Sequence, residues 1–343
     1  MKFLSFFIIS ILFFSCAVEK NKPYGSYDNF PEEKELTAHV VELDSAMFRY
    51  PFRVKIEKDK VVLMDLHNWD NYFHVYSYPE CKYVASFGKR GEAPNEMLSA
   101  ENIRIDGSFA WVLDANRSKL YQYSLEDTVS RVKEVMLDKD IIRALDFVLY
   151  EDSSFIIPDY TGESRICIVD VDGKVRKRIG KIPTIHPVDK SSLVALAQAW
   201  RSFIDYNPKS QVLAMVTQLG EILEIYNLKD STHIIKAGPM GEPEYGVSQG
   251  NAVPTGIMGF SDVQVTDKYI YAVFHGRTFK EIARTQGELV DGGELVYVFD
   301  LKGNPVRKYH LDRRIYGIWV DEEKGKIIAT DVNYNQPLAE FSM

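Results

Sequence analysis

The sequence predicts an all-β fold, a six-bladed β-propeller of four-stranded antiparallel blades. The first observation behind this prediction is an apolar phrase that recurs and ends each time at one polar residue before a turn. Its six copies end at Asp65, Asp114, Asp159, Thr217, His275 and Asp331. Successive ends lie 45 to 58 residues apart, which is the length of one propeller blade. The second observation is a hairpin pattern that follows the phrase.

Each repeat unit predicts four strands, here named a to d from the axis outward. The apolar phrase is strand b. Strands c and d are the arms of a hairpin, because apolar and polar residues alternate on both sides of a polar turn. The hairpins are predicted at 74–88, 120–135, 167–180, 224–238 and 297–311. Strand a is the short apolar segment that precedes strand b, for example 102–105.

The last unit is incomplete, and this predicts how the ring closes. Strands a, b and c are expected at 317–320, 326–331 and 337–341, after which the sequence stops. We expect the segment 36–43 to supply the missing strand d. A blade shared by both chain ends closes the ring and removes two open sheet edges.

The N-terminal residues carry export signals. Lys2 and the apolar run 3–15 have the length and charge of a signal peptide, and Ser15-Cys16 at its end resembles a bacterial lipobox. We therefore expect residues 1–16 to be a lipoprotein signal with Cys16 as the lipidated residue. The alternative is an ordinary signal peptide with a chance cysteine. Residues 17–34 are expected to be a flexible tether, and 35–343 a single propeller domain.

Composition limits the partners. The formal net charge is −8, which argues against nucleic acid, because phosphate-binding surfaces are basic. It also argues against adsorption to anionic lipid, so membrane attachment would come from the lipid anchor alone. We expect a monomeric propeller in the cell envelope, on the periplasmic or surface side of the outer membrane. Cys81 and Cys167 fall in non-adjacent units and are expected to be buried free thiols.

One loop motif carries a resemblance to a known family. Residues 87–96 read F-G-K-R-G-E-A-P-N-E, and a degenerate copy, G-P-M-G-E-P-E, occupies 238–244. The F-G-x-x-G-E-x-P-x-E pattern resembles a signature of the TolB-like six-bladed propeller lipoproteins of Gram-negative bacteria. The resemblance covers the chain from about residue 36 onward, together with the lipobox. It implies a propeller that binds a ligand or partner in the envelope, and it supplies no catalytic residue.

Loop lengths indicate which face of the propeller carries function. The d–a crossovers and b–c turns lie on one face, and the c–d turns are short. The long segments 181–199, 239–258 and 276–293 all belong to that loop-rich face, where binding is usually built. Padding of the surface is the alternative. Candidate ligand-binding residues at the channel mouth start the inner strands there: Arg53, Glu101, Asn102, Asp146, Arg201 and Asp262.

Alternative interpretations exist for each group of candidates. The channel residues could be hydrated polar groups that line a water-filled channel. The loop-face aromatic residues Trp69, Trp200 and Tyr245 could stack on a sugar or peptide, or could anchor loops to the core. The recurrent Asp residues at strand b ends are interpreted as turn caps rather than a metal cluster. Gly246-Val247-Ser248-Gln249-Gly250 matches G-x-S-x-G but lacks the strand and helix of a nucleophile elbow.

Three functions remain open from the sequence. The first is a binding module for a protein, peptide or glycan ligand, without cofactor, metal or catalytic residue. The second is an enzyme similar to the calcium-dependent propeller lactonases, in which Glu101, Asn102, Asp146 and Asp262 would hold the cation. Arg53 and Arg201 at equivalent positions count against that metal site. The third is a structural scaffold in an envelope assembly.

Overall fold

A computed structural model describes residues 24–45, 47–151, 154–189, 192–285 and 290–343. The predicted signal peptide, Cys16 and the first part of the predicted tether lie outside these residues. The described chain forms six antiparallel sheets, two of which gain one parallel strand, and one separate two-stranded hairpin. The prediction of a six-bladed β-propeller is confirmed.

Strands are numbered along the chain and blades in the order of their first inner strand. The N-terminal segment supplies β1 (Gly25–Ser26), β2 (Glu32–Leu36) and β3 (His39–Val41). Blade 1 contains β4 (Pro51–Glu57), β5 (Lys60–Asp65), β6 (Asn71–Ser77) and β7 (Tyr83–Lys89). Blade 2 contains β8 (Ala100–Asp106), β9 (Phe109–Asp114), β10 (Lys119–Ser124) and β11 (Ser130–Met136). Blade 3 contains β12 (Val148–Tyr150), β13 (Ser154–Pro158), β14 (Ile166–Val169) and β15 (Val175–Ile179).

The second half of the chain repeats this plan with two helical insertions. Helix α1 (Leu193–Ala199) leads into blade 4, which contains β16 (Ser202–Asn207), β17 (Val212–Thr217), β18 (Ile222–Asn227) and β19 (Thr232–Ala237). The separate hairpin is β20 (Tyr245–Ser248) and β21 (Asn251–Pro254). Blade 5 contains β22 (Phe260–Val265), β23 (Tyr269–Phe274), α2 (Phe279–Arg284), β24 (Gly293–Asp300) and β25 (Pro305–Ile315). Blade 6 contains β26 (Ile318–Asp321), β27 (Lys326–Thr330) and β28 (Leu338–Ser342).

The inner strands stand side by side around the axis. β4 packs against β8 on one side and against β26 on the other, which completes the ring. Within the described ranges, neither helix is long and apolar enough to cross a membrane. Three strand b phrases end at the predicted residue, since β5, β9 and β17 stop at Asp65, Asp114 and Thr217. The other three, β13, β23 and β27, end one residue earlier.

The period-two alternation of the strands explains how the blades pack. In β9, Ala110 and Val112 face one hydrophobic core, and Trp111 and Leu113 face another. Successive side chains of a strand point to opposite faces, so each blade buries both faces against its neighbours. Val112 is completely buried, and burial of such a side chain contributes about 1.5–3 kcal/mol. The core is therefore a set of layers between blades.

The N-terminal segment closes the ring as predicted. β3 pairs antiparallel with β28, and Val40 lies opposite Ala339. Leu43 extends this junction, because its backbone amide donates to the Gln336 Oε1 atom at 3.0 Å. The closing strand is shorter than the predicted segment 36–43, and Leu36 belongs to β2 instead. The N-terminal and C-terminal parts of the chain are thus joined in the blade 6 sheet.

Residues 24–36 lie along the outer edges of two blades, unlike the flexible tether expected for 17–34. β1 pairs in parallel with β19 of blade 4, and β2 pairs in parallel with β25 of blade 5. Tyr27, Phe30 and Leu36 are buried there. The segment is held on the propeller by these apolar side chains and by pairing with the edges of two outer strands, although its composition is mostly polar. The edge of β25 is thus covered over five residues, and that of β19 over its last two.

Candidate functional site

The channel on the propeller axis opens at both ends and is filled in the middle. On the loop-rich face, the start of the inner strands surrounds a cavity of about 600 Å³, here called the loop-face pocket. At the other end of the same strands is a cavity of about 450 Å³, here called the opposite mouth. The loop-face pocket is lined chiefly by Tyr50, Phe52, Glu101, Arg143, Tyr160, Gln198, Arg201, Phe203 and Tyr316. The opposite mouth is lined chiefly by Lys55, Glu57, Arg104, Tyr150, Asp205, Tyr206 and Trp319.

Between the two cavities lies a set of buried charged and polar side chains, here called the axial plug. Its members are Arg53, Asn102, Arg104, Asp146 and Asp262, all at most 7% exposed. Arg53 lies 3.5 Å from the Asp262 carboxylate through its Nε atom and donates from Nη2 to the Ser261 carbonyl at 2.7 Å. The Asp262 Oδ2 atom accepts the Ile318 amide at 2.9 Å. This half of the plug therefore ties blades 1, 5 and 6 together.

The other half of the plug joins blades 2, 3 and 4. The Arg104 guanidinium donates to Asp146 Oδ1 at 2.9 Å and to the Ile204 carbonyl at 2.7 Å. Asn102 donates to the same Asp146 oxygen at 2.6 Å, and the Ile204 amide donates to Asp146 Oδ2 at 2.8 Å. Burial raises the pKa of Asp146, while the Arg104 charge and the backbone amides act in the opposite direction. The plug is a structural network in which every charged group has a partner, although the Nε atoms of Arg53 and Arg104 are buried without a hydrogen bond among the described residues.

The six candidate channel residues thus divide into two groups. Arg53, Asn102, Asp146 and Asp262 lie in the plug and are bonded to one another or to neighbouring strands. Glu101 and Arg201 line the loop-face pocket. The structure brings the second pair to one open site, and the first four lie beneath its floor.

Arg201 is the side chain of the loop-face pocket that is best placed to bind a ligand. It follows α1 directly and precedes β16, so its side chain projects at the start of an inner strand. Among the described residues, its guanidinium has no hydrogen-bond or ion-pair partner, and its Nε atom is buried. Burial lowers the pKa of Arg201, and the nearby Arg143 lowers it further. A guanidinium in this state gains from any anionic group that enters the pocket.

Arg143 and Glu101 complete the charges of the pocket. Arg143 is exposed and also lacks a hydrogen-bond or ion-pair partner within the described part of the chain. Glu101 accepts a hydrogen bond from the Ser99 hydroxyl at 2.8 Å. Burial raises the pKa of Glu101, although Ser99 and Arg143 oppose this effect. The lining of the loop-face pocket therefore contains two arginines and one glutamate, and the glutamate carboxylate is poorly solvated.

Aromatic rings form the wall and floor of the pocket. Tyr316 lies 5.4 Å from Tyr50 and 5.2 Å from Phe52 between ring centroids. The Arg53 guanidinium lies 3.9 Å from the Phe52 ring and 4.6 Å from the Phe203 ring. Cations are attracted to the faces of aromatic rings, so the plug holds these two rings in place. The result is a rigid apolar floor under two arginines.

The long loop segments form the rim. Gln198 of α1 donates to the Asn251 side chain at 3.0 Å and accepts the Ala252 amide at 2.9 Å. These bonds join the segment 181–199 to the β20–β21 hairpin beside the pocket. The segment 276–293 supports the wall from behind, because Asp291 accepts the Tyr50 hydroxyl at 2.7 Å. Two of the three long segments line the site and the third braces it.

The three predicted loop-face aromatic residues lie outside this pocket. Trp200 is buried at 1% exposure and Tyr245 is partly buried; both border a neighbouring cavity of about 360 Å³. Trp69 is 75% exposed, with the Arg49 guanidinium 4.1 Å from its ring centroid. Trp200 anchors α1 to the core, and Trp69 remains available on the loop-rich face.

Several residues of the site escaped the sequence interpretation. Arg104 could have been found, because it is two residues from Asn102 on strand a and shares its face. Arg143 and Tyr160 could not, since they lie in loops whose path depends on the tertiary structure. The Tyr160 hydroxyl is buried and has no hydrogen-bond partner among the described residues.

The aspartates at strand b ends cap the following turn, as predicted: Asp114, Asp159 and Asp331 accept the amides of Arg117, Thr161 and Asn333. Two of the aspartates also hold the loop before strand a. Asp65 accepts the amides of Arg49 and Tyr50 at 2.8 and 2.7 Å. Asp114 accepts those of Leu98 and Ser99 at 2.8 and 3.2 Å. Each carboxylate thereby fixes the loop that enters strand a of its own blade. Within the described ranges, no group of three His, Cys, Asp or Glu side chains is placed to hold a metal ion.

The motif tests agree with the sequence interpretation. The G-x-S-x-G stretch 246–250 forms the tip of the β20–β21 hairpin, so it is not a nucleophile elbow. Cys81 and Cys167 are free and buried.

The fold and the pocket define the class of protein: a six-bladed β-propeller with a ligand-sized cavity at the loop-rich end of its axis. A family model described as TolB-like 6-blade propeller-like matches residues 28–323. The chain therefore belongs to the TolB-like six-bladed propeller family. No curated protein matches the sequence.

Solved structures share the fold at low sequence identity. A protein of Bacteroides fragilis named as exported is 10% identical, with a TM-score of 0.57 over 92% of this chain and 98% of that one. A member of the DUF4221 family from Bacteroides vulgatus is 12% identical, with a TM-score of 0.59 over 90% and 95%. Regucalcin from Agrobacterium tumefaciens, named as calcium-binding, is 12% identical, with a TM-score of 0.53 over 91% and 95%. At these identities the likeness is one of fold alone.

Proposed function

We propose that this chain is an envelope-anchored propeller that binds a protein, peptide or glycan through its loop-rich face. The loop-face pocket would take an anionic group of that ligand. One observation carries the proposal: Arg201 lines a cavity of about 600 Å³ and has no partner for its guanidinium among the described residues. Arg201 is partly buried and its Nε atom is fully buried without a partner among the described residues, so a carboxylate or phosphate group would supply charge-assisted hydrogen bonds that the protein does not.

The charge distribution supports this choice of ligand chemistry. The whole chain carries a net charge of −8, yet the pocket presents Arg143 and Arg201 against Glu101. A local positive site in a negative protein selects for anions at short range and repels them elsewhere. The aromatic floor of Phe52 and Phe203 suits the apolar face of a sugar or a peptide side chain.

The proposed location follows from the N-terminal sequence and from one structural neighbour. The signal-like run and Cys16 favour a lipid-anchored envelope protein, and the Bacteroides fragilis neighbour is named as exported. We place the protein at the outer membrane as a monomer. Replacement of Cys16 by Ser should shift it from the membrane fraction to the soluble fraction of the envelope. Retention of that variant in the membrane fraction would contradict lipid anchoring.

Matched acidic and neutral probes test the proposed site. We would titrate the mature protein with oligogalacturonate and its methyl ester, and with peptides that end in a free carboxylate or an amide. At least one acid should bind more tightly than its neutral partner. Arg201→Met should weaken that binding by about tenfold or more, since a charge-assisted hydrogen bond contributes about 1.5–3 kcal/mol.

Two variants make the result interpretable. Arg201→Lys keeps the charge and should retain part of the affinity. Lys139→Met removes an exposed lysine that lines neither the loop-face pocket nor the opposite mouth and should change nothing. Equal binding of every acid and its neutral partner would sink the proposal, as would full affinity in Arg201→Met. The melting temperature of Arg201→Met should stay near that of the wild type, because no hydrogen bond to the guanidinium is lost.

The calcium-dependent enzyme has no specific support in the site. Of its candidate ligands, Asn102, Asp146 and Asp262 are buried and already bonded to arginines or backbone amides. Arg53 and Arg104 lie beside the carboxylates, so a divalent cation would meet two positive charges. These residues do not fit a calcium site. Melting temperatures in calcium and in EDTA should therefore coincide.

A further inference from the structure

The opposite mouth is a second cavity that the proposed function does not use. It lies where the inner strands end, around Ile56, Ile105 and Val265, and the axial plug separates it from the loop-face pocket. Its volume of about 450 Å³ falls in the range of small-molecule sites. A ligand here would bind independently of one on the loop-rich face.

Lys55 supplies an unused positive charge in this cavity. Its side chain is half-buried in the wall, and no described residue gives its ammonium group a hydrogen bond or an ion pair. Burial lowers the pKa of Lys55, and the positive charges of Arg104 and Arg53 act in the same direction. Asp262 and Asp205 oppose these effects without touching the ammonium group. A ligand carboxylate would supply the contact that the protein does not.

Asp205 supplies the matching negative charge. Its Oδ2 atom accepts the Val265 amide at 2.7 Å, which fixes the carboxylate between blades 4 and 5. Burial raises the pKa of Asp205. Within the described part of the chain, the Oδ1 atom has no hydrogen-bond donor and Asp205 makes no ion pair with Lys55. The two opposite charges face one cavity and remain apart.

Acidic residues at the entrance of the opposite mouth restrict the charge that a ligand can carry. Glu57 lines the entrance together with Asp106 and Glu151. A simple anion would cross this negative rim at a cost, and a simple cation would meet Lys55 inside. A zwitterion suits both, because it carries no net charge and has one group for each partner.

Aromatic side chains provide an apolar surface beside the charges. Tyr150 and Tyr206 lie 5.4 Å apart between ring centroids with an edge-to-face angle of 66°, and Trp319 lines the same cavity. Rings of this kind bury the side chain of a small ligand and fix its orientation.

We propose that the opposite mouth binds a free α-amino acid with an apolar side chain. Lys55 would contact the α-carboxylate, Asp205 would accept a hydrogen bond from the α-ammonium group, and Tyr206 with Trp319 would contact the side chain. An α-amino acid carries one positive and one negative group, one for each of the two charged residues that line the cavity.

Calorimetric titration with L-phenylalanine and two analogues tests this proposal. 3-Phenylpropanoate lacks the ammonium group, and 2-phenylethylamine lacks the carboxylate. Phenylalanine should bind saturably, and each analogue should bind about tenfold more weakly or worse, because one charged contact is lost. An analogue that binds as tightly as phenylalanine, or no saturable binding of phenylalanine, would overturn the proposal.

Variants assign the binding to this cavity. Lys55→Met and Asp205→Asn should each weaken phenylalanine binding about tenfold or more, and Lys139→Met should leave it unchanged. Lys55→Met should melt no lower than the wild type, because the Lys55 side chain makes no hydrogen bond or ion pair among the described residues and the backbone pairing with Val62 is kept. Full affinity in both pocket variants would overturn the assignment.

A spectroscopic readout separates this site from the proposed function. Phenylalanine should shift the indole N–H resonance of Trp319 and leave that of the exposed Trp69 in place. Arg201→Met should bind phenylalanine normally, since Arg201 belongs to the other cavity. Loss of phenylalanine binding in Arg201→Met, or a shift at Trp69 alone, would place the amino acid on the loop-rich face and contradict the proposal.

Discussion

At the level of single residues, Asp146 shows how a charged side chain is stabilised inside the channel. Its two oxygens accept bonds from Asn102, Arg104 and the amides of Phe147 and Ile204. A buried ion pair is stable when such additional bonds compensate its desolvation, and removal of one partner leaves the other uncompensated. The plug residues are therefore held by each other.

Asp146→Ala should lower the free energy of unfolding by about 3–5 kcal/mol, because Arg104 would be left as a buried, unpaired charge. Urea denaturation measures this loss. Asp267→Ala is the matched control, since Asp267 pairs with Lys209 on the exposed surface, where such pairs contribute about 1 kcal/mol or less. A loss for Asp146→Ala as small as that of the control would contradict the structural role of the plug.

Glu221 gives the fold a pH dependence. It is 2% exposed beneath the d–a crossover of blade 4, and its Oε2 atom accepts the Met240 amide at 2.9 Å. Burial raises the pKa of Glu221 from 4.5 to about 7; nearby Asp28 adds to this effect, while Met240, Tyr27 and Lys308 oppose it. The folded state thus holds the proton more tightly than the unfolded chain.

The free energy of unfolding should fall by about 3 kcal/mol as pH rises from 4.5 to 7, because the Glu221 carboxyl loses its proton at a lower pH in the unfolded chain than in the folded protein. Below pH 4.5 both states are protonated, and above pH 7 the loss is complete. Glu221→Gln should remove this contribution and keep an acceptor for Met240. Urea unfolding of both proteins should show that the free energy of unfolding of Glu221→Gln rises relative to that of the wild type as pH increases from 4.5 to 7. A constant difference between them would contradict the assignment.

Sequence alone could predict part of the site at this scale. Arg201 and Glu101 were identified because strand order places the starts of the inner strands at one mouth. The same logic selected Arg53 and Asp262, but their side chains point along the axis into the plug. Strand position does not reveal whether a polar side chain already has a partner. Arg143 was missed because its loop has no periodic pattern.

At the level of elements, the family motif builds a tight link between blades 1 and 2. Gly91 has φ near +152°, and a Cβ atom there would lie 2.0 Å from the Glu96 carboxylate. Glu96 accepts the Ala93 amide at 3.1 Å and pairs with Lys89 at 2.7 Å. The glycine therefore makes room for the carboxylate that closes the loop. This explains in physical terms why the motif combines Gly with Glu.

The closing strand and the two parallel edge strands make different contributions, and truncation separates them. A variant without residues 1–37 loses β1 and β2 but keeps β3. It should melt below the full mature protein, because Tyr27, Phe30 and Leu36 are lost from the core, yet still fold cooperatively, because blade 6 keeps its closing strand. A variant without residues 1–43 also opens the edge of β28 and should self-associate or fail to fold cooperatively.

Size-exclusion chromatography and thermal melting measure both effects. If the longer truncation were as monomeric and as stable as the shorter one, closure through β3 would not matter for the fold. The shorter truncation is the control, because it contains every change except the loss of the closing strand and its flanking residues.

The strands themselves were the most predictable elements. Their alternation survives because both faces of every blade are buried, and the strand b ends at Asp65 and Asp114 match the sequence prediction. The helices α1 and α2 and the β20–β21 hairpin were not predicted, since they are short insertions within long connecting segments. β1 and β2 were hidden in a polar segment that relies on the edges of blades 4 and 5.

At the level of the whole molecule, the ring explains where ligands can bind. Six blades leave an axial channel, the plug divides it, and each end becomes a separate cavity with its own chemistry. The loop-rich end carries arginines over aromatic rings, and the opposite end carries a lysine and an aspartate under an acidic rim. The family and the number of blades follow from the sequence. The division of the channel depends on packing between distant strands, which the sequence pattern does not contain.

The central claim is that Arg201 makes the loop-face pocket an anion-binding site. Crystals of the mature protein soaked in bromide would test it most directly, because the anomalous signal locates the anion without knowledge of the ligand. The account predicts a bromide in contact with the Arg201 guanidinium, and its absence in crystals of Arg201→Met. Bromide at exposed lysines and arginines, with none in the loop-face pocket, would contradict the account.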